Sequence, residues 1–434
     1  MNLGKKMWSR AINSIPGGNG LLSKRPDRYA PDIWPTYYSK AKGIDIWDLD
    51  GNKYKDMAQM GIGSAILGYS DDDVNKKVSN AINEGVSTTL NCTEEVYLAE
   101  KLLELNPFAG GVKFARTGGE AMSMAVRIAR AYSGKDKVAF SGYHGWCDWY
   151  LATNLSGDKL GSHLLPGLST LGVPKGLTNT MYPFEYNNLE ELNDIVKNND
   201  IGVIVIEGAR YDFPTQEFLT GINQIAKDND IVIVVDEITS GWRMTDGGVY
   251  KTFDFEPDIV VYGKAMGNGY AISSVVGKKE VMDVSQDTFI SSTFWTEKVG
   301  FVAGLETINK LVDNKVWKHL NYIGEMTGRS WKTIADSYNL DIHITDFKPL
   351  ITFKFEYGDL NSALYTLFIQ EMLNRGYISS NSIYLSNCHT EKDMLEYFDA
   401  VDIVFGKIKK CIDNKNVSSA LHTKIKNEGF KRLN

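Results

Sequence analysis

Short, uninterrupted apolar runs recur through the middle of the chain. Between them lie stretches in which apolar residues return every three to four positions. The runs are VKFAR (112–116), KVAFSG (137–142), GVIVIEG (202–208), IVIVVDE (231–237) and DIVVYGK (258–264). Each is short and has no polar face, so each predicts a strand buried on both sides. EAMSMAVRIARAYSG (120–134) has the helical period and a closing Gly134, and EFLTGINQIAKDN fills the space between two of the runs in the same way. Buried strands divided by helices predict an α/β fold, with a mostly parallel central sheet covered by helices on both faces. The ends of the chain read differently. IDIWDLDGNKYKDM (44–57) alternates and turns at Asp50-Gly51 like a hairpin, and beyond about residue 310 helices mix with short strands such as LITFKFE. The pattern therefore predicts a large domain over 61–310 and a smaller α+β domain built from both termini, 1–60 and 311–434.

Composition narrows the class. A chain of 434 residues suits one large and one smaller domain. Charged residues make up 23% and hydrophobic ones 43%, as in soluble globular proteins, and a net charge of −7 argues against nucleic acid as a partner. No apolar run is long enough to span a bilayer, and MNLGKKMWSRAINSIPGG lacks the apolar core of a signal peptide, so a cytoplasmic protein without a membrane partner is expected. Cys92, Cys147, Cys388 and Cys411 are widely spaced and form no C-x-x-C pair, which indicates neither a disulfide framework nor a metal site.

The chemistry gathers where the apolar runs end. In YGKAMGNGY (262–270), Lys264 follows a buried strand directly. A phosphate-binding P-loop would need glycine at Asp258 and a hydroxyl residue at Ala265, and the glycines lack the dinucleotide spacing as well. At the ends of the other strands stand Thr117-Gly118-Gly119 at a helix start, Tyr143-His144-Gly145 at a turn, and Asp236-Glu237. A helix start favours phosphate, while a carboxylate closing an apolar strand needs a partner. Each feature alone has an ordinary structural explanation: a helix cap, a core aromatic, a capping acid. One cofactor uses all of them. Pyridoxal 5′-phosphate takes a lysine for a Schiff base, an acid for its pyridine nitrogen, a phosphate cradle, and an aromatic on its ring face.

The motifs also carry a family likeness. IPGG, WDLDGNKYKD, TGGEAMSMAVRIAR, GYHGW, VVDEITSGWR, YGKAMGNGY, STFWTEKVGFVAG and NCHTEKD together resemble the class III aminotransferases of fold type I, in particular the glutamate-1-semialdehyde 2,1-aminomutase branch. The resemblance implies that Lys264 forms the Schiff base, Asp236 pairs with the pyridinium nitrogen, Tyr143 stacks on one ring face and Ile238 packs on the other. It implies a phosphate cradle of Thr117, Gly118 and Gly119, where the family writes Ser-Gly-Thr, completed by Thr293 from a second subunit. A homodimer with shared active sites follows.

The chain departs from the aminomutase pattern around the substrate. NGLLSKRP stands where an arginine loop is expected, leaving Lys24 or Arg25 for that contact. Ile62 replaces a tryptophan, Glu207-Gly208 is followed by an extra cation, Arg210, and STFWTEK introduces Trp295 and Glu297. Cations at Lys24, Arg25 and Arg210 suit a carboxylate or phosphate on the substrate. The reading is an aminotransferase acting between an amine and a carbonyl compound, one of them anionic. Intramolecular transfer by an aminomutase is the first alternative; a racemase and a non-catalytic cofactor-binding protein are weaker ones.

Overall fold

The computed structural model describes residues 3–430, and these divide into two compact units. One unit runs to Asp71 and resumes at Lys318; the other spans Asp72–Trp317. The breaks fall at a helix start and inside a helix, about ten residues from where the sequence pattern changes character.

The first unit opens with α1 (Leu3–Ser14) and the antiparallel strands β1 (Tyr38–Lys42), β2 (Asp45–Asp48) and β3 (Lys53–Met57). The expected hairpin is present, turning at Gly51 with φ +85°. Met60, Gly61, Ile62 and Gly63 then form a left-handed turn with φ of 39°, 67°, 60° and 79°. A β-branched residue such as Ile62 pays strain of about 1–3 kcal/mol there.

The second unit begins with α2 (Asp72–Glu84) and α3 (Thr93–Leu105), followed by β4 (Gly111–Ala115), α4 (Gly118–Ser133), β5 (Lys137–Ser141) and α5 (Asp148–Leu151). The chain continues through β6 (Met181–Pro183), α6 (Leu189–Asn198), β7 (Ile201–Glu207), α7 (Gln216–Asp228) and β8 (Val232–Asp236). It closes with β9 (Ile259–Tyr262), β10 (Ser273–Gly277), α8 (Lys279–Asp283) and α9 (Lys298–Asp313). Among the described residues these strands form a seven-stranded sheet in the order β4-β10-β9-β8-β7-β5-β6. Strands β6, β5, β7, β8 and β9 run parallel, and β10 is antiparallel to both β9 and β4. Every residue of β7, β8, β9 and β10 is buried, and for β7, β8 and β9 that burial shows in the sequence as continuous apolar runs.

Helix α4 is set by its own termini. Thr117 and Glu120 form a capping box at its start, and Gly134 ends it in the left-handed region at φ +70°. Ala121, Met122, Met124, Ala125, Val126, Ile128 and Ala129 are buried, joining the core with Val203, Val205, Val234, Val261 and Val275 of the sheet. A helix buried over so much of its circumference is fixed by packing, and its first turn inherits that rigidity.

The first unit is completed by α10 (Val316–Ser337), β11 (Ile342–Ile344), β12 (Leu350–Phe355), α11 (Asn361–Leu373), β13 (Tyr377–Ser379), β14 (Ser382–Tyr384) and α12 (Glu391–Asp413). Strand β13 pairs in parallel with β3, so the two terminal segments share a sheet. His389 reinforces the junction, its Nε2 lying 3.0 Å from the Asp56 carbonyl oxygen.

Candidate active site

Strands β7, β8 and β9 end together. Glu207 is in register with Asp236, and Asp236 with Val261, three residues before Lys264. Apolar strands thus deliver two carboxylates and an amine to one end of the sheet, where each must find a partner.

Asp236 is 4% exposed. Its Oδ2 lies 2.9 Å from His144 Nδ1, and its Oδ1 accepts the Ile238 N–H at 3.0 Å. The other ring nitrogen, His144 Nε2, lies 3.0 Å from the Ser141 carbonyl oxygen. Both nitrogens of His144 therefore lie against oxygen atoms, which fixes the ring and orients Asp236.

Lys264 Nζ donates to the Thr239 hydroxyl at 2.7 Å. Burial, and then the Arg210 cation, push its pKa down from 10.5 to about 8, while Asp236 and Glu207 oppose the shift. The residue adopts φ +24°, a strained value for a side chain-bearing residue. Next to Asp236, burial pushes the Glu237 carboxyl up to about 7 against donors from Ser240 and Tyr250.

Glu207 organises the opposite wall. Its Oε2 accepts the Tyr143 N–H at 3.1 Å and its Oε1 pairs with Arg210 Nη2 at 2.8 Å. That pairing sets the Arg210 guanidinium 5.5 Å from the centre of the Tyr143 ring. The Arg210 side chain keeps 20% of its exposure.

At the start of α4, Thr117 donates both its N–H and its hydroxyl proton to Glu120 Oε2, at 2.9 and 3.0 Å. The N–H groups of Gly118 and Gly119 have no acceptor among the described residues. Two such donors at the positive end of a 16-residue helix suit an anion. A Cβ at Gly118 would fall 2.8 Å from Ile238 Cδ1, so only glycine lets the turn and Ile238 approach this closely.

Thr293 is exposed, in a single-turn 3-10 helix over Thr293–Thr296. Arg116 anchors that turn through the Phe294 and Glu297 carbonyl oxygens, at 2.6 and 2.5 Å. Trp295 Nε1 adds a bond to Glu120 Oε1 at 3.4 Å. The second unit thus holds Thr117, Gly118, Gly119, Tyr143, Asp236, Ile238, Lys264, Arg210 and the Thr293 turn. Lys24 and Arg25 belong to the first unit: Lys24 is exposed, and Arg25 forks onto Asp27 at 2.9 and 2.8 Å. In the sequence His144 stands out only as part of a turn, and neither Thr239 nor Trp146 stands out at all. Direct adjacency to Asp236-Glu237-Ile238 was the available signal for Thr239.

Residues 28–347 match the family described as Aminotransferase class-III. The protein belongs to the class III aminotransferases. A 3-aminobutyryl-CoA aminotransferase from Cloacimonas acidaminovorans (strain Evry) is 31% identical over 94% of this chain and 97% of its own. A glutamate-1-semialdehyde 2,1-aminomutase from Nitrosopumilus maritimus (strain SCM1) is 30% identical over 93% of this chain and 99% of its own. The solved pyridoxal-phosphate internal-aldimine form of the Sphingopyxis sp. MTA144 FumI protein has the same fold, with a TM-score of 0.86, 22% identity and 98% of each chain covered. This class III aminotransferase is accordingly an enzyme of fold type I whose cofactor is pyridoxal phosphate and whose substrates are small amines and carbonyl compounds. The side chains fit that cofactor: an amine of lowered pKa, an oriented carboxylate, and two unpaired N–H donors at a helix start. Among the described residues no helix is long and apolar enough to cross a membrane.

Proposed function

We propose that the enzyme is a homodimeric aminotransferase in which Lys264 carries the cofactor and moves the proton. Asp236 would face the pyridine nitrogen, with Tyr143 and Ile238 against the ring. The Gly118 and Gly119 N–H groups, in the turn capped by Thr117, would hold the phosphate together with Thr293 of a second copy. The observation that carries this reading is the Lys264 amine, whose pKa of about 8 leaves a useful neutral fraction near physiological pH. When bound, pyridoxal phosphate supplies an aldehyde that captures amines and a ring that draws electrons from the adjacent carbon. The chain supplies the rest. Thr239 orients Nζ, His144 orients Asp236, and the Lys264 amine would take a proton from the substrate carbon and return it elsewhere.

For the substrate we propose an anionic group met by Arg210. Of the three candidate cations, Arg210 shares a unit with Lys264 and is fixed by Glu207, whereas the guanidinium fork of Arg25 is filled by Asp27. The relative named for 3-aminobutyryl-CoA favours intermolecular transfer involving an amine β to a carboxylate or thioester. Aminomutase chemistry is the second reading, favoured by the relatives named for it. Dimerisation is supported by the exposed Phe289 and Phe294, whose segments are held beside α4 by Arg127 and Arg116. A cytoplasmic location belongs to the same proposal and agrees with four free cysteine thiols.

The test is a half-reaction screen. Amines are added singly to the loaded enzyme, and conversion of the aldehyde form to the amine form is followed by absorbance. Anionic β-amines should react fastest, and Arg210→Met should slow them selectively while sparing small neutral amines. Borohydride should fix the cofactor on Lys264. An adduct mapped to another lysine would refute the site assignment, and equal slowing of neutral and anionic amines would remove Arg210 from the substrate contact.

A further inference from the structure

The phosphate turn has fewer free donors than its sequence suggests. Thr117 spends its N–H and hydroxyl proton on Glu120, and the residue at 119 is a glycine with no hydroxyl to offer. Within one chain, two backbone N–H groups are few for a phosphate that carries up to two negative charges, even with Thr293 of a second copy added.

A third donor lies alongside. A Cβ built on Gly119 would meet Trp146 Nε1 at 3.1 Å and Trp146 Cδ1 at 3.2 Å. The indole N–H edge thus occupies the space that a side chain at 119 would fill. Among the described residues that N–H has no hydrogen-bond partner. The backbone fixes this approach: Gly145 has φ +107°, and a Cβ there would lie 3.1 Å from Gly119 Cα. Cys147 Sγ closes the loop onto the Gly119 carbonyl oxygen at 3.5 Å. Trp146 itself is 72% exposed, so packing does not account for its position.

Resting on the cofactor placement proposed above, we propose that the Trp146 indole N–H binds the cofactor phosphate beside the Gly118 and Gly119 N–H groups. It does the work of a hydroxyl that position 119 lacks. Gly119 is then needed for two reasons: its N–H faces the anion, and its missing side chain admits the indole.

The test compares pyridoxal phosphate with pyridoxal, which has the same ring and aldehyde but no phosphate. Dissociation constants for both are measured on apoenzyme, for wild type and Trp146→Phe. Phenylalanine keeps an aromatic ring and removes the donor. Losing one hydrogen bond to a charged group should weaken pyridoxal phosphate roughly 10- to 100-fold and leave pyridoxal unchanged. Trp146→His, which retains a ring N–H, should recover part of the loss. In indole-15N-labelled enzyme, the resonance missing from Trp146→Phe should be the one that moves when phosphate cofactor, but not pyridoxal, is added to wild type. Equal losses for both ligands, dissociation of a dimer in Trp146→Phe, or no loss at all would overturn the assignment. Should borohydride trap the cofactor away from Lys264, the placement fails and the Trp146 contact fails with it, whatever the variant does.

Discussion

Lys264 offers a quantitative test of how burial prepares an amine. A drop from 10.5 to about 8 raises the neutral fraction at pH 7 from about one in three thousand to about one in ten. It corresponds to ~3.4 kcal/mol of disfavoured charge, an upper figure because the residue keeps partial solvent access. Rapid mixing of apoenzyme with pyridoxal phosphate reads that fraction directly, as the rate at which the amine joins the aldehyde. The rate should climb about tenfold per pH unit up to pH 8 and then level off. Desolvation is the largest cause and Arg210 the next, so Arg210→Met should move the break to higher pH. The same shift has a stability consequence of defined sign. Between pH 8 and 10.5 the unfolded chain holds the proton more tightly than the folded one, so folding gains stability as pH rises through that window. Below pH 8 the cost is fully present, and Lys264→Met should raise the melting temperature of the apoenzyme at pH 7 by an amount that fades towards pH 10.5. A wild-type rate that keeps climbing beyond pH 10, or a break unmoved in Arg210→Met, would refute the account of the site's electrostatics.

Two further outcomes test other parts of the molecule. Thr293→Ala should weaken cofactor binding by about 1.5–3 kcal/mol, the worth of one charge-assisted hydrogen bond, while sedimentation still shows a dimer; a cofactor-saturated, active wild-type monomer would end the shared-site reading. Burial pushes the His389 imidazole down from 6.5 to about 4, so the fold should lose ~2.5 kcal/mol between pH 7 and 4.5 as the unfolded chain takes up the proton. Urea midpoints at the two pH values should therefore converge in His389→Gln, and an unchanged difference would assign acid sensitivity elsewhere.

The strands β5, β7, β8 and β9 were legible because burial on both faces removes polar residues from the sequence itself. Lys264, Asp236 and the glycine turn were legible for a related reason, since polar groups at the ends of such strands stand out. Strand β10 was not. SSVVG is only five residues, and no local pattern says that it runs antiparallel between β9 and β4. Contacts over long sequence separations were equally hidden: His144 meets Asp236 across 92 positions, and Arg116 holds Phe294 across 178. Arg25 shows the converse error of inference. Its neighbour Asp27 was visible, but only geometry shows that Nε and Nη2 of the guanidinium are committed to its two carboxylate oxygens.

The antiparallel insertion of β10 has a consequence for how this enzyme could change. It leaves Thr117 at the end of β4 and Lys264 at the end of β9 separated by one intervening strand, with the Ser273 hydroxyl of β10 bonded to the Thr117 carbonyl oxygen at 3.0 Å. Asp236 lies one strand further on, on β8. Hydrogen-bonded strands keep a spacing of about 4.8 Å whatever their side chains, so the sheet works as a ruler on which the three groups are marked. If the substrate meets Arg210 as proposed, substitutions in the segments carrying Arg210 and Trp295 would redraw which molecules are accepted without altering those marks. Mutational libraries that randomise such loops and leave β4, β8, β9 and β10 untouched should therefore yield many variants that still take up cofactor and differ in what they aminate.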